Sequence, residues 1–156
     1  MDVGGFIDFL CIFNMGLLAG EIGLIGINVM PSIQELPTPA AVRCFHHVFK
    51  RGGKQAPPLL FSALIASIFR VTRFPPDTLL YSAHLGLIFA LLPGWIGVFA
   101  AMGNSSRQLI SAYDHDTTEN VKPTLLAWNR INMVRVVIAT FSFGLLVWAK
   151  CAAASH

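Results

Sequence analysis

The sequence predicts an all-α integral membrane protein, a four-helix bundle forming one domain over residues 1–156. Two compositional facts and one pattern predict it. Mean hydropathy is +0.63. Hydrophobic residues make up 54% of the chain and charged residues only 12%, about half the usual share of roughly 25%. Four apolar stretches approach the roughly 20 residues that a bilayer-crossing helix needs. Low charge with high hydrophobicity excludes a disordered chain and makes a water-facing monomer hard to build. The net charge of +3 comes from only 11 basic residues. They form no dense stripe interleaved with aromatics, so nucleic acid is not an expected partner; the lipid bilayer is.

The first span is expected over residues 3–30, ending at Pro31. Its leader, Met-Asp-Val-Gly-Gly, is acidic and the apolar run is long, so it is expected to be a retained helix and not a cleaved signal. The second span, the shortest, covers 57–72, with the turn Phe74-Pro75-Pro76-Asp77 after it. The third covers 79–102 and stops at Gly103-Asn104; the fourth covers 125–149 and stops at Lys150. Residues 31–56 and 103–124 are then loops on one side. They hold Arg43, Lys50, Arg51, Lys54, Arg107 and Lys122, against Arg70, Arg73 and Lys150 on the other. Basic short loops mark the cytosolic side, which puts both termini across the membrane and leaves the sequon at Asn104 unused. The endoplasmic reticulum or another internal membrane is the expected location.

Polar groups inside spans are costly and tend to face other helices or a cavity. Span 1 carries Glu21, with Asn14 and Asn28 seven residues to either side, a spacing that keeps all three near one helical face. In span 4, Trp128, Asn132 and Arg135 are four and three residues apart, which places them within about 60° of one another. Ala139 and Ser142 continue that stripe. It therefore offers an indole N–H, a carboxamide and a guanidinium, all hydrogen-bond donors. His84 is expected in span 3, and Ser62 and Ser67 in span 2. The stripe either pairs Glu21 with Arg135 to hold the bundle together or lines a polar pocket within it. His46 and His47 are adjacent and diverge on a helix, a poor metal pair; His115, between Asp114 and Asp116, reads as a solvated loop residue. The three cysteines, Cys11, Cys44 and Cys151, have no metal or disulfide spacing.

The segment Leu125-Leu126-Ala127-Trp128-Asn129-Arg130-Ile131-Asn132-Met133-Val134-Arg135 resembles the signature of the fungal anthrone oxygenase family, small membrane proteins with four spans. The family pattern of Trp, three residues, Asn, two residues, Arg and an apolar helix matches at Trp128, Asn132 and Arg135. Gly20 before Pro31, Phe45, Phe49, Gly52 and Pro57-Pro58 ahead of span 2, and Pro93 and Asn104 about span 3 agree in order. Two positions depart from it: Phe45 stands where Trp is common, and Gly94-Trp95 where Phe/Tyr-Thr is usual.

The resemblance implies a monooxygenase that converts an anthrone, a hydrophobic aromatic small molecule of polyketide pathways, to an anthraquinone with O₂ as co-substrate. It implies no added flavin or metal, although a metal or haem is not excluded by the residues. An anthrone's C10–H is acidic because its anion is a delocalised phenolate-like aromatic, and that anion can pass an electron to O₂ directly. The site must remove a proton, stabilise an oxyanion and hold a flat ring. Arg135 and Asn132 are the expected oxyanion donors. His84, His47 and Glu21 are candidate bases. Trp128, Asn104 and Asn28 are candidate substrate contacts. Two other classes remain open: a different tailoring enzyme on the same scaffold, and a non-catalytic four-span adaptor or lipid-binding protein. A channel fits less well, since few charges line the spans, although a homo-oligomer could supply more.

Overall fold

A computed structural model describes residues 3–73, 75, 78–115 and 121–155. Helix α1, Val3–Leu24, passes through a π-helical turn, Ile25–Val29, into the short α2, Met30–Glu35. Helices α3, Thr38–Arg73, α4, Leu79–Asp114, and α5, Val121–Ala154, complete the fold, and no strand occurs among the described residues. Four helical rods, Val3–Glu35 and α3 to α5, are each long and apolar enough to cross a membrane. They run alternately up and down. Around the bundle α1 lies between α3 and α5, and α4 lies opposite α1 between the same two neighbours.

The helices outrun the expected spans. At about 1.5 Å per residue, the 36 residues of α3 or α4 reach about 54 Å, against a hydrocarbon core of roughly 30 Å. Both expected loops are therefore largely helical. Residues 38–56 form the first half of α3, and 103–114 the last third of α4. Neither Pro31, Gly103-Asn104 nor Lys150 ends a helix. The reason lies in the exposed side chains. On α3, Arg43, His47, Lys50, Arg51, Lys54 and Gln55 are exposed and polar, while Phe61, Ile65, Ile68 and Phe69 are exposed and apolar. A hydropathy window sees only the second half, although the chain keeps its helical period through both. The turn expected at 74–77 lies mostly outside the described residues, as does Asp116 beside His115; His115 itself is exposed.

The bundle thus has an apolar half and a polar half, each with its own core. Met15, Leu18, Leu60, Ala63, Leu87, Leu91 and Leu146 fill the first. Met30, Phe45, Met102, Leu109, Leu125 and Trp128 fill the second. Chain direction between the rods is set locally. Pro37 holds Leu36 extended at φ −69°, ψ 155°, because a residue before proline is kept out of the α region. Thr78 caps α4 by accepting from the Tyr81 N–H at 3.1 Å.

The π-turn has a definite cause. Pro31 has no N–H to donate, and the Met30 N–H reaches back to the Ile25 carbonyl. The Gly26 carbonyl, whose i+5 donor would be Pro31, instead accepts from Asn129 Nδ2 on α5 at 3.2 Å. A Cβ at Gly26 would sit 3.0 Å from both Asn132 Nδ2 and Met133 Sδ, so only glycine lets α5 approach this closely.

Candidate active site

At the junction of the two cores lies a cavity of about 120 Å³. From α1 and the π-turn, Glu21, Ile22 and Ile25 line it; from α3, Val48, Phe49, Gly52, Gly53, Ala56 and Pro57; from α4, Phe99; from α5, Trp128, Asn132 and Arg135. Its wall is mostly apolar, with polar groups supplied by α5 and Glu21.

The stripe on α5 faces inward as its spacing requires. Trp128 and Asn132 are buried, and Arg135 is only 8% exposed. Trp128 Nε1–H donates to Ser106 Oγ on α4 at 3.1 Å, so this N–H is already engaged and the indole offers the cavity its ring. Phe45 meets that ring edge-on at 5.2 Å, and Phe49 lies at 6.4 Å. The Arg135 guanidinium rests over Trp95 at 4.3 Å and Phe99 at 5.3 Å. Such stacking holds a cation without consuming its hydrogen-bond donors. Its Nη1 makes a long contact of 3.4 Å to Asn132 Oδ1. Arg135 Nε and Asn132 Nδ2 are buried with no acceptor. Buried donors are normally paired, and both of these belong to residues that line the cavity.

Glu21 lines the same cavity and makes no contact within 4 Å with Arg135, although the two charges attract one another across it. Its Oε1 lies over Gly52, where a Cβ would be 3.4 Å away. The other expected site residues lie elsewhere. Asn28 does not share the Glu21 face: the π-turn between them winds less per residue than an α-helix. It is exposed and borders an outer groove together with His47. Asn104 is exposed and accepts from Arg107 Nη2 at 3.1 Å.

His84 belongs to a second polar cluster, toward the opposite end of the bundle. Its Nε2 lies 3.2 Å from Asp8 Oδ1 and its Nδ1 3.0 Å from Ser67 Oγ. An ionised carboxylate only accepts, so Nε2–H donates to Asp8. Asp8 also accepts from Arg70 Nε at 2.9 Å and Lys150 Nζ at 2.8 Å. Cys11 Sγ, 3.1 Å from Ser67 Oγ, extends the chain. One carboxylate on α1 thus ties α3, α4 and α5 together. Sequence reasoning passes over Asp8, although a carboxylate inside an apolar run is itself a signal. It also misses Phe99, Ser106 and Asn129, which only cross-helix packing reveals. Among the described residues no three His, Cys, Asp or Glu side chains converge as metal ligands would.

Fold and site together define a four-span membrane protein with a donor-lined cavity inside its bundle. The anthrone oxygenase family model matches residues 45–145, and this chain belongs to that family, an oxygenase-type class. The match spans α3 through most of α5, taking in Trp128, Asn132 and Arg135 but neither Glu21 nor Asp8. Comparisons with curated proteins and with solved structures found no match.

Proposed function

We propose that the protein oxidises an anthrone-type aromatic polyketide to the corresponding anthraquinone with O₂. The observation that carries this reading is the pair of unpaired buried donors, Arg135 Nε and Asn132 Nδ2, on two residues that line a mostly apolar cavity bordered also by Glu21. They suit an oxyanion on a flat hydrophobic molecule. Preorganised donors in a site without water stabilise developing charge strongly. The ring system lies against Trp128, Phe49 and Phe99. Glu21, among the described residues the carboxylate that borders this cavity, takes the C10 proton; His84 and His47 do not border it. The anion, its charge on the C9 oxygen, gives one electron to O₂, and the carbon radical and superoxide recombine at C10 as a peroxide anion, which takes the proton back from Glu21 to become the hydroperoxide. Loss of one water leaves the quinone, so anthrone and O₂ become anthraquinone and water. O₂ is the oxidant, and this route asks for no flavin or metal.

The cytosol is the side we assign to the polar half of the bundle. Two of the three basic residues at the opposite end, Arg70 and Lys150, are held by Asp8, which leaves the excess of positive charge with the polar half.

The test is oxygen uptake and quinone formation from emodin anthrone in microsomes, with a chelator present. Arg135→Ala and Asn132→Ala, at matched protein levels, are expected to lower turnover by about 10²–10³-fold each. Wild-type turnover no faster than autoxidation, or full turnover in both variants, defeats the reading.

A further inference from the structure

The cavity is small for the proposed substrate. Ligand pockets usually hold about 300–1,000 Å³, and this one holds about 120 Å³. Just outside it, between α1 and α3, lies an open groove of about 400 Å³ lined by Leu17, Glu21, Gln55, Pro58 and Leu59. Glu21 borders both spaces. On α3 the two linings interleave: Gly52, Gly53, Ala56 and Pro57 line the cavity, while Gln55, Pro58 and Leu59 line the groove. They meet at the seam between α1 and α3, where Glu21 and residues 52–59 supply walls to both.

That seam is thin and mechanically weak. A Cβ at Gly53 would meet nothing within 4 Å, and at Gly52 only Glu21 Oε1 and Ile25. Pro57 and Pro58 lie inside α3. Neither can donate to the carbonyl four residues earlier, so α3 loses two successive hydrogen bonds, at Gly53 and Lys54, level with the cavity. Proline sites are where long helices bend. The outer groove opens among exposed apolar side chains: Phe13, Leu17 and Leu24 on α1, and Phe61 and Ile65 on α3, each about half exposed or more. In a membrane such side chains meet acyl chains.

We propose that the α1–α3 seam at Glu21, Gly52–Gly53 and Pro57–Pro58 is a lateral portal, through which a flat, uncharged aromatic molecule passes from the bilayer into the cavity. Bending of α3 at the proline pair parts the seam, and Glu21 closes it again over the bound ring. This rests on the reading of the cavity as an aromatic-binding site. The molecule never crosses water, and the cavity widens only while it is occupied.

The test is independent of turnover. Leu17→Cys and Leu59→Cys, both in the outer groove, are introduced with Cys44→Ser and Cys151→Ser, which remove the exposed thiols; Cys11 is fully buried. Trp148→Phe removes the exposed indole, leaving Trp95 and Trp128 to report. In lipid nanodiscs, 9,10-anthraquinone is mixed with the protein and indole quenching is followed in time. A short bis-thiosulfonate that bridges the two thiols, verified by intact mass, is expected to slow association and dissociation together by about tenfold or more. The dissociation constant stays nearly unchanged, and reductant restores both rates. Leu17→Cys with Gln55→Cys is a second pair for the same bridge. Unchanged rates in the bridged protein overturn the portal and leave the cavity's role intact. Absence of saturable quenching in the unbridged protein overturns both.

Discussion

Asp8→Ala isolates the strongest polar tie in the bundle. Asp8 is 1% exposed and accepts from three helices at 2.8–3.2 Å. Its removal takes from Arg70, 9% exposed, the carboxylate oxygen 2.9 Å from its Nε, and from His84 Nε2 the carboxylate oxygen at 3.2 Å. Breaking a buried charge pair by deleting one partner costs about 3–5 kcal/mol. Lys150 adds little, because its side chain is 43% exposed and returns to water; exposed pairs are worth about 0–1 kcal/mol. The expected loss is therefore about 3–5 kcal/mol, a large part of a typical folding stability of about 5–15 kcal/mol. The assay is equilibrium unfolding of purified protein in mixed micelles with increasing denaturing detergent, followed by near-ultraviolet circular dichroism. A double-mutant cycle sharpens it. Adding Arg70→Met to Asp8→Ala is expected to recover about 1–3 kcal/mol, and adding Lys150→Met almost none. A loss under about 1 kcal/mol, or equal recovery from the two second mutations, refutes the account of Asp8 as a buried tie dominated by Arg70.

Three further outcomes are expected from the packing and the site. Gly26→Ala puts a methyl 3.0 Å from Asn132 Nδ2 and Met133 Sδ; overpacking of about 1–3 kcal/mol and lower turnover are expected. Gly23→Ala, whose nearest neighbour is at 3.9 Å, is the matched control, and equal effects of the two in thermal melts and oxygen uptake would count against the close α1–α5 contact. His84→Gln is expected to lower the melting temperature while sparing turnover per folded molecule; Glu21→Gln is expected to do the reverse, lowering turnover by about 10²–10⁴-fold. Stopped-flow oxidation of emodin anthrone by both variants decides this, and a turnover loss confined to His84→Gln would move the base to the second cluster. Trp128→Phe gives up the bond to Ser106, worth about 1 kcal/mol, and keeps the ring. Turnover within a few-fold of wild type is expected from Phe and a much larger loss from Ala, so similar losses in the same assay would show that the N–H matters more than the ring.

The four rods and the inward stripe of α5 are legible in the sequence because both depend on helical period and composition alone. Trp128, Asn132 and Arg135 share a face whenever the backbone is helical, whatever packs against it. The same logic fails at Asn28, where the absence of one N–H at Pro31 widens a turn and rotates the residues within and beyond it. It also fails at 38–56 and 103–114, where exposed polar residues continue helices that hydropathy reads as loops.

Tertiary structure alone decided which polar groups meet. Asp8 is separated from Arg70, His84 and Lys150 by 62, 76 and 142 residues, and no spacing rule reaches across such distances. His84, a candidate base in the sequence, meets Asp8 and Ser67 in the bundle and does not border the cavity. Glu21 and Arg135 look like direct partners and instead face each other across one cavity without a contact within 4 Å. The sequence on its own determines that the chain lies in a membrane as four helices with a donor-rich face on the last. The order in which the helices pack determines where that face opens, because burial and pairing belong to neighbours in space and not to neighbours in the chain.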